Sequence, residues 1–117
     1  MNLRECYVEI HGSYEEMMNR LPREASIIKY LRKFAENTEF DELLAAYGEG
    51  NYRRIFELAH DLKGMAANFS ITEFQAVISD ICEACRNGEP ENGFDELIEK
   101  AKAEHKAVVD AIALLED

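Results

Sequence analysis

Basic residues are scarce in this chain. Lys and Arg number 13 against 24 Asp and Glu, so the formal charge is 13 − 24 = −11. A chain this acidic repels phosphate backbones and anionic lipid headgroups, which argues against nucleic acid or a membrane surface as partner. No apolar run approaches the roughly 18 residues of a transmembrane helix, and the opening Met1-Asn2-Leu3-Arg4-Glu5 has no signal-peptide character. Cysteine is limited to three residues, an odd number that fits a reducing cytoplasm better than a disulfide scaffold. Pro occurs twice, Gly six times, and no long alternating β-branched run is present, which leaves little basis for a sheet. What is abundant is Ala, Leu, Glu, Lys and Met, the helix formers. An apolar fraction of 47% in 117 residues supports one packed domain rather than a disordered tail.

Periodicity and punctuation divide the chain into helices. Leu3, Tyr7 and Ile10 mark a short first helix that stops before Gly12. Ser13-Tyr14-Glu15-Glu16 has the form of a capping box and opens a turn or two that Pro22 interrupts. Ile27, Ile28, Leu31 and Phe34 repeat at helical spacing. Thr38 caps a stretch with Phe40, Leu43, Leu44 and Tyr47 on one side, ended by Gly48 and Gly50. Asn51 caps a helix from Tyr52 to about Phe69, and Thr72-Glu73-Phe74-Gln75 reads as a second capping box. That helix turns Phe74, Ile78, Ile81 and Cys85 inward, with Gly88 after its end. Asn92 caps the last helix, where Phe94, Ile98, Ala101, His105, Val108, Ile112 and Leu115 step by four and three. The expected architecture is all-α: an antiparallel four-helix bundle over 38–117, with short N-terminal helices in 1–37 covering one end of a single domain 1–117.

One helix carries chemistry. With His60 at zero on a wheel of about 100° per residue, Ile55, Leu58, Leu62, Ala66 and Phe69 form the core side. Arg53, Phe56, Glu57, Lys63, Gly64 and Ala67 fall beside His60 on the opposite face. The imidazole is therefore predicted to stand exposed on a rigid rod. Gly64 lies inside that helix, where Gly costs about 1 kcal/mol relative to Ala. One turn beyond an exposed His it supplies bare space, and Ala67 extends the strip. Lys63, at i+3, brings an ammonium within reach of anything attached to the ring. An exposed nucleophile with a cation beside it and cleared ground around it suits an imidazole that accepts and releases a phosphoryl group near neutral pH.

His60-Asp61-Leu62-Lys63-Gly64, followed by Ala66-Ala67-Asn68-Phe69, resembles the signature of histidine-containing phosphotransfer (HPt) domains, and the likeness runs from about Ser13 to Leu115. The resemblance implies a four-helix bundle that relays phosphate between aspartates of receiver domains in two-component signalling. It makes His60 the acceptor, with Lys63 and Gly64 beside it. Ile81-Cys82-Glu83-Ala84-Cys85-Arg86 is similar to the partner helix, where Arg86 matches a basic residue facing the phosphoryl site. Arg53, Phe56, Ala67, Cys82 and Arg86 are the expected contacts to a receiver domain. The chain departs from the pattern in two places: Ser70 stands where the family usually has Gly, and Cys82 where Gln or Glu often sits. Mg²⁺ is expected on the receiver and no cofactor in this chain. No Gly-rich nucleotide loop is present, so the expectation is a cytoplasmic, monomeric phosphocarrier without kinase activity of its own. Met1 and the compact ends favour a free-standing relay protein over an excised domain.

Other features have plainer readings. His105 sits in an apolar seam and is expected to be buried or half-buried with a hydrogen-bond partner, while His11 carries no signal. Cys82-x-x-Cys85 lacks the second half of a zinc site and follows no strand; Cys85 reads as core and Cys82 as a boundary thiol. Glu57-x-x-His60 matches half of a di-iron bundle motif, but it occurs once and points outward, so a metal-binding bundle is a weak rival. A docking module that keeps the bundle without transfer is the other. The acidic stretches (Glu15-Glu16, Glu89, Glu91, Asp95-Glu96, Glu116-Asp117) read as solvated faces.

Overall fold

A computed structural model describes residues 1–116; Asp117, placed above in an acidic face, lies outside the described residues. Seven helices and no strand occur among them: α1 (Leu3–Glu9), α2 (Tyr14–Arg20), α3 (Glu24–Glu36), α4 (Glu39–Glu49), α5 (Tyr52–Asn68), α6 (Thr72–Ala84) and α7 (Phe94–Ala113). The apolar periodicity explains which faces close. Ile55, Leu58, Leu62 and Ala66 of α5, Phe74, Ile78 and Ile81 of α6, and Phe94, Ile98, Ala101, Val108 and Ile112 of α7 are all buried. Cys85 and Leu115, just beyond their helices, are buried with them.

Side-chain contacts fix the directions. Near the start of α5, the Phe56 carbonyl meets Cys82 Sγ near the end of α6 at 3.9 Å, so the two helices run antiparallel. Tyr47, late in α4, packs on Phe94 at the start of α7, while Phe40, early in α4, stacks on His105 far along α7. Hence α4 and α7 are also antiparallel, and the four helices close into a bundle. α1 and α3 rest on α7. They lie at the end where α5 and α7 finish: Arg32 of α3 donates to the Leu115 carbonyl at 3.0 Å, and the Met1 ammonium pairs with Glu116 at 2.8 Å. Aromatic rings knit this end together. Phe34 meets both Phe69 and Phe74 edge-on, at 6.1 and 6.0 Å between centroids, and Phe74 meets Phe40 at 5.8 Å.

Helix ends depart from the sequence reading in instructive ways. Ser13 Oγ does accept the Glu16 N–H at 3.2 Å, but only that half of its capping box forms. The full box is at α1, between Asn2 and Glu5. Thr38 makes no side-chain cap; Asn37 Oδ1, one residue earlier, accepts the Glu39 N–H at 2.8 Å. Thr72 is the first residue of α6 rather than its cap, and the free Glu73 N–H finds the His11 carbonyl at 3.3 Å. A tertiary acceptor has replaced a local one. Gly93, left-handed at φ 97°, intervenes between Asn92 and α7, so Asn92 does not cap it. Asn51 caps α5 as the sequence indicates, accepting the Arg54 N–H at 3.1 Å. Gly48 lies within the last turn of α4, and Gly50, at φ 68°, ends the helix.

Candidate functional site

α5 is a regular 17-residue helix, and its regularity sets the site. With one face committed to the core, the residues near 0° on the wheel must point outward. His60 is exposed, Gly64 is exposed, and Lys63, Ala67 and Phe56 are half-buried. A side chain built at Gly64 would meet nothing within 4 Å, so the glycine is not there for close packing against a neighbouring helix. Arg53 is exposed one turn before Phe56.

The imidazole lies beside a shallow depression of about 410 Å³ lined by Phe56, Glu57, His60, Asp61, Lys63 and Arg86. The Phe56 ring is 6.4 Å from the His60 ring, centroid to centroid. Arg86, in the turn after α6, lays its guanidinium over the Phe56 ring, 5.4 Å from its centroid. Arg86 is also gripped by Glu83, with Nε–Oε2 at 3.1 Å and Nη2–Oε1 at 2.5 Å. This pairing holds the Glu83 carboxyl below its usual range and raises Arg86. Arg54 is taken up by Glu42 at 3.4 Å and Glu57 at 4.0 Å, whereas Lys63 makes no ion pair among the described residues.

Cys82 must be corrected. It was expected at the boundary, touching a partner, but it is fully buried beneath the depression. Its position on α6 faces α5 rather than solvent, because it lies one residue from Ile81 and one turn from Ile78 on the same inward surface. Burial raises its thiol pKa, opposed by Lys63 and Arg86 above it, so it lies under the cations without reaching the surface. Cys6 and Cys85 are likewise buried, each pushed up to about 11 by burial, and all three thiols are free.

Ser70 accounts for its own departure from the pattern. It follows α5 at φ 53°, the left-handed region that favours glycine. Its N–H bonds the Ala67 carbonyl at 3.1 Å and the Ile71 N–H bonds the Ala66 carbonyl at 3.0 Å, a Schellman ending. Arg20 supports the strained residue. Its Nη1 donates to the Ala67 carbonyl at 2.8 Å, the Asn68 carbonyl at 2.6 Å and Ser70 Oγ at 3.1 Å. A cation on the last carbonyls also suits the helix dipole.

The expected grouping of Phe56 and Arg86 with His60 is present, while sequence reasoning missed Glu83 and Arg20. The i,i+3 spacing of Glu83 and Arg86 was an available signal; the Arg20 contact, 47 residues away along the chain, had none. His105 is half-buried as expected, stacked on Phe40 at 4.3 Å with no hydrogen-bond partner among the described residues, and burial lowers its pKa. Glu57-x-x-His60 faces outward, and no group of three or more potential metal-ligating side chains gathers among the described residues.

A helical bundle that presents one imidazole on its outer wall, beside cations and a cleared strip, has the build of a carrier for a small transferable group. The Hpt domain family model matches residues 29–116, and the chain belongs to that family. Hpt domains take part in histidine phosphotransfer in phosphorelays, where they interact with receiver domains. No curated protein and no solved structure gives a significant match. No helix among the described residues is long and apolar enough to cross a membrane.

Proposed function

We propose that His60 accepts a phosphoryl group from an aspartyl phosphate on a receiver domain and passes it on to another receiver aspartate. The observation that carries this reading is the ring's setting. It is exposed on the outer face of α5, with Lys63 and Arg86 lining the same depression and open space at Gly64. The neutral imidazole attacks phosphorus with the lone pair of its unprotonated nitrogen. The P–O bond to the aspartate breaks, the carboxylate leaves, and the ring keeps its proton on the other nitrogen. The return step is the same displacement run backwards: an aspartate carboxylate attacks phosphorus, the N–P bond breaks and the neutral imidazole leaves. Lys63 and Arg86 partly neutralise the phosphoryl oxygens. Mg²⁺ is assigned in this reading to the acidic pocket of the receiver partner.

Arg53, Phe56, Ala67 and Arg86 form the contact surface around the ring, and Gly64 leaves room for the incoming loop. The carrier works as a cytoplasmic monomer and draws its phosphate from receivers rather than from ATP. The test is incubation with receiver domains charged by acetyl phosphate. Wild type should take up acid-labile phosphate. His60→Gln should take up none, with helicity and Tm almost unchanged because the residue is exposed. Equal uptake by the variant would overturn the assignment.

A further inference from the structure

Glu83 has no part in the transfer chemistry above, yet it holds Arg86 through two hydrogen bonds. The pair is about half exposed at both side chains, 50% for Arg86 and 60% for Glu83, so it adds little to the stability of the fold. Its placement is what stands out. Arg86 lines the depression beside His60, while Glu83 does not; the carboxylate grips the guanidinium from outside. Phe56 already fixes the guanidinium over its ring, so position does not depend on Glu83 alone. What Glu83 adds is a countercharge. Two of the five guanidinium N–H groups point at it, leaving three that could meet phosphoryl oxygens.

We infer that Glu83 tunes the site, offsetting the charge of Arg86 so that a phosphoryl group on His60 is held weakly enough to be given away. The inference rests on the acceptor reading of His60 and concerns only how firmly that acceptor holds its load. With Glu83 neutral, Arg86 would act with its full charge, the phosphohistidine would be favoured, and exchange with a receiver aspartate would shift toward retention. The effect is electrostatic across a solvent-exposed site, so it is modest and sensitive to salt.

The experiment needs no receiver. Potassium phosphoramidate transfers its phosphoryl group to an exposed imidazole: the N–P bond to ammonia breaks, the bond to the ring nitrogen forms, and ammonia leaves. ³¹P NMR then follows, on the whole chain and above about pH 6, where Glu83 is ionised and the N–P bond survives, the proton leaving the second nitrogen of the phosphorylated ring. In Glu83→Gln this pKa should fall by roughly 0.3–0.5 unit at low salt, and the difference should collapse near 1 M salt, where the screening length is about 3 Å. Arg86→Gln should raise it, and adding Glu83→Gln to that variant should move it less than in wild type. No change in Glu83→Gln, a change of opposite sign, or an equal shift without Arg86 would each overturn the inference. Failure of wild type to carry phosphate on His60 would instead strike the acceptor reading.

Discussion

Around His60, Gly64 matters for what it leaves out. An Ala at that position of an exposed helix would be worth about 1 kcal/mol, and nothing within 4 Å of the missing side chain opposes it. A helix that forgoes this stabilisation one turn from its reactive ring has a use for the empty space. Gly64→Leu is expected to raise Tm modestly while slowing exchange with receiver domains severalfold, because the new side chain stands where the partner must approach. Thermal melts and transfer kinetics on the same preparation check both halves. Unaltered kinetics would mean that the cleared strip plays no part in docking. Cys82 teaches the opposite lesson at the same scale. A residue one place out of phase with the exposed face is not half-exposed but fully buried, because α5 covers it.

At the scale of elements, the end of α5 is a junction as well as a helix terminus. The α1–α2 turn presses against it: Ser13 donates its N–H to the Ser70 carbonyl at 2.9 Å, and a side chain on Gly12 would stand 2.5 Å from that same oxygen. The obstacle is backbone held in a Schellman ending, so it cannot swing aside. Gly12→Ala is expected to cost about 1–3 kcal/mol, read as a lowered midpoint in urea, with phosphate uptake retained in the folded fraction. A midpoint equal to wild type would show that the two loops are not held together. This junction also marks where sequence reasoning stops. The long stripes of α5, α6 and α7 were legible because burial repeats every three to four residues. The caps at Thr38, Thr72 and Asn92 were not, because an acceptor one residue away, a carbonyl 62 residues away, or a left-handed glycine took over each role. Local patterns name suitable caps; the fold decides which donors still need one.

At the scale of the molecule, an acidic chain has gathered a small basic neighbourhood. The net charge is −11, yet Lys63 and Arg86 line one depression with His60 and Arg53 stands two turns back on the same helix face; of these three, only Arg86 has an ion pair among the described residues. The bundle supplies stiffness, the α1–α3 end locks the terminus of α5, and the middle of α5 carries the ring. His60, Lys63 and Gly64 could be read from spacing alone, since each depends only on helical geometry. Arg86 needed the antiparallel pairing of α5 and α6 to reach them, and Glu83 emerged only with side-chain positions. The measurement that bears most directly on the whole is peptide mapping of the chain after exchange with phosphorylated receiver domains. Phosphate should be found on the peptide containing His60, attached through nitrogen and lost in acid. Phosphate on any other residue, or an acid-stable ester, would contradict the account.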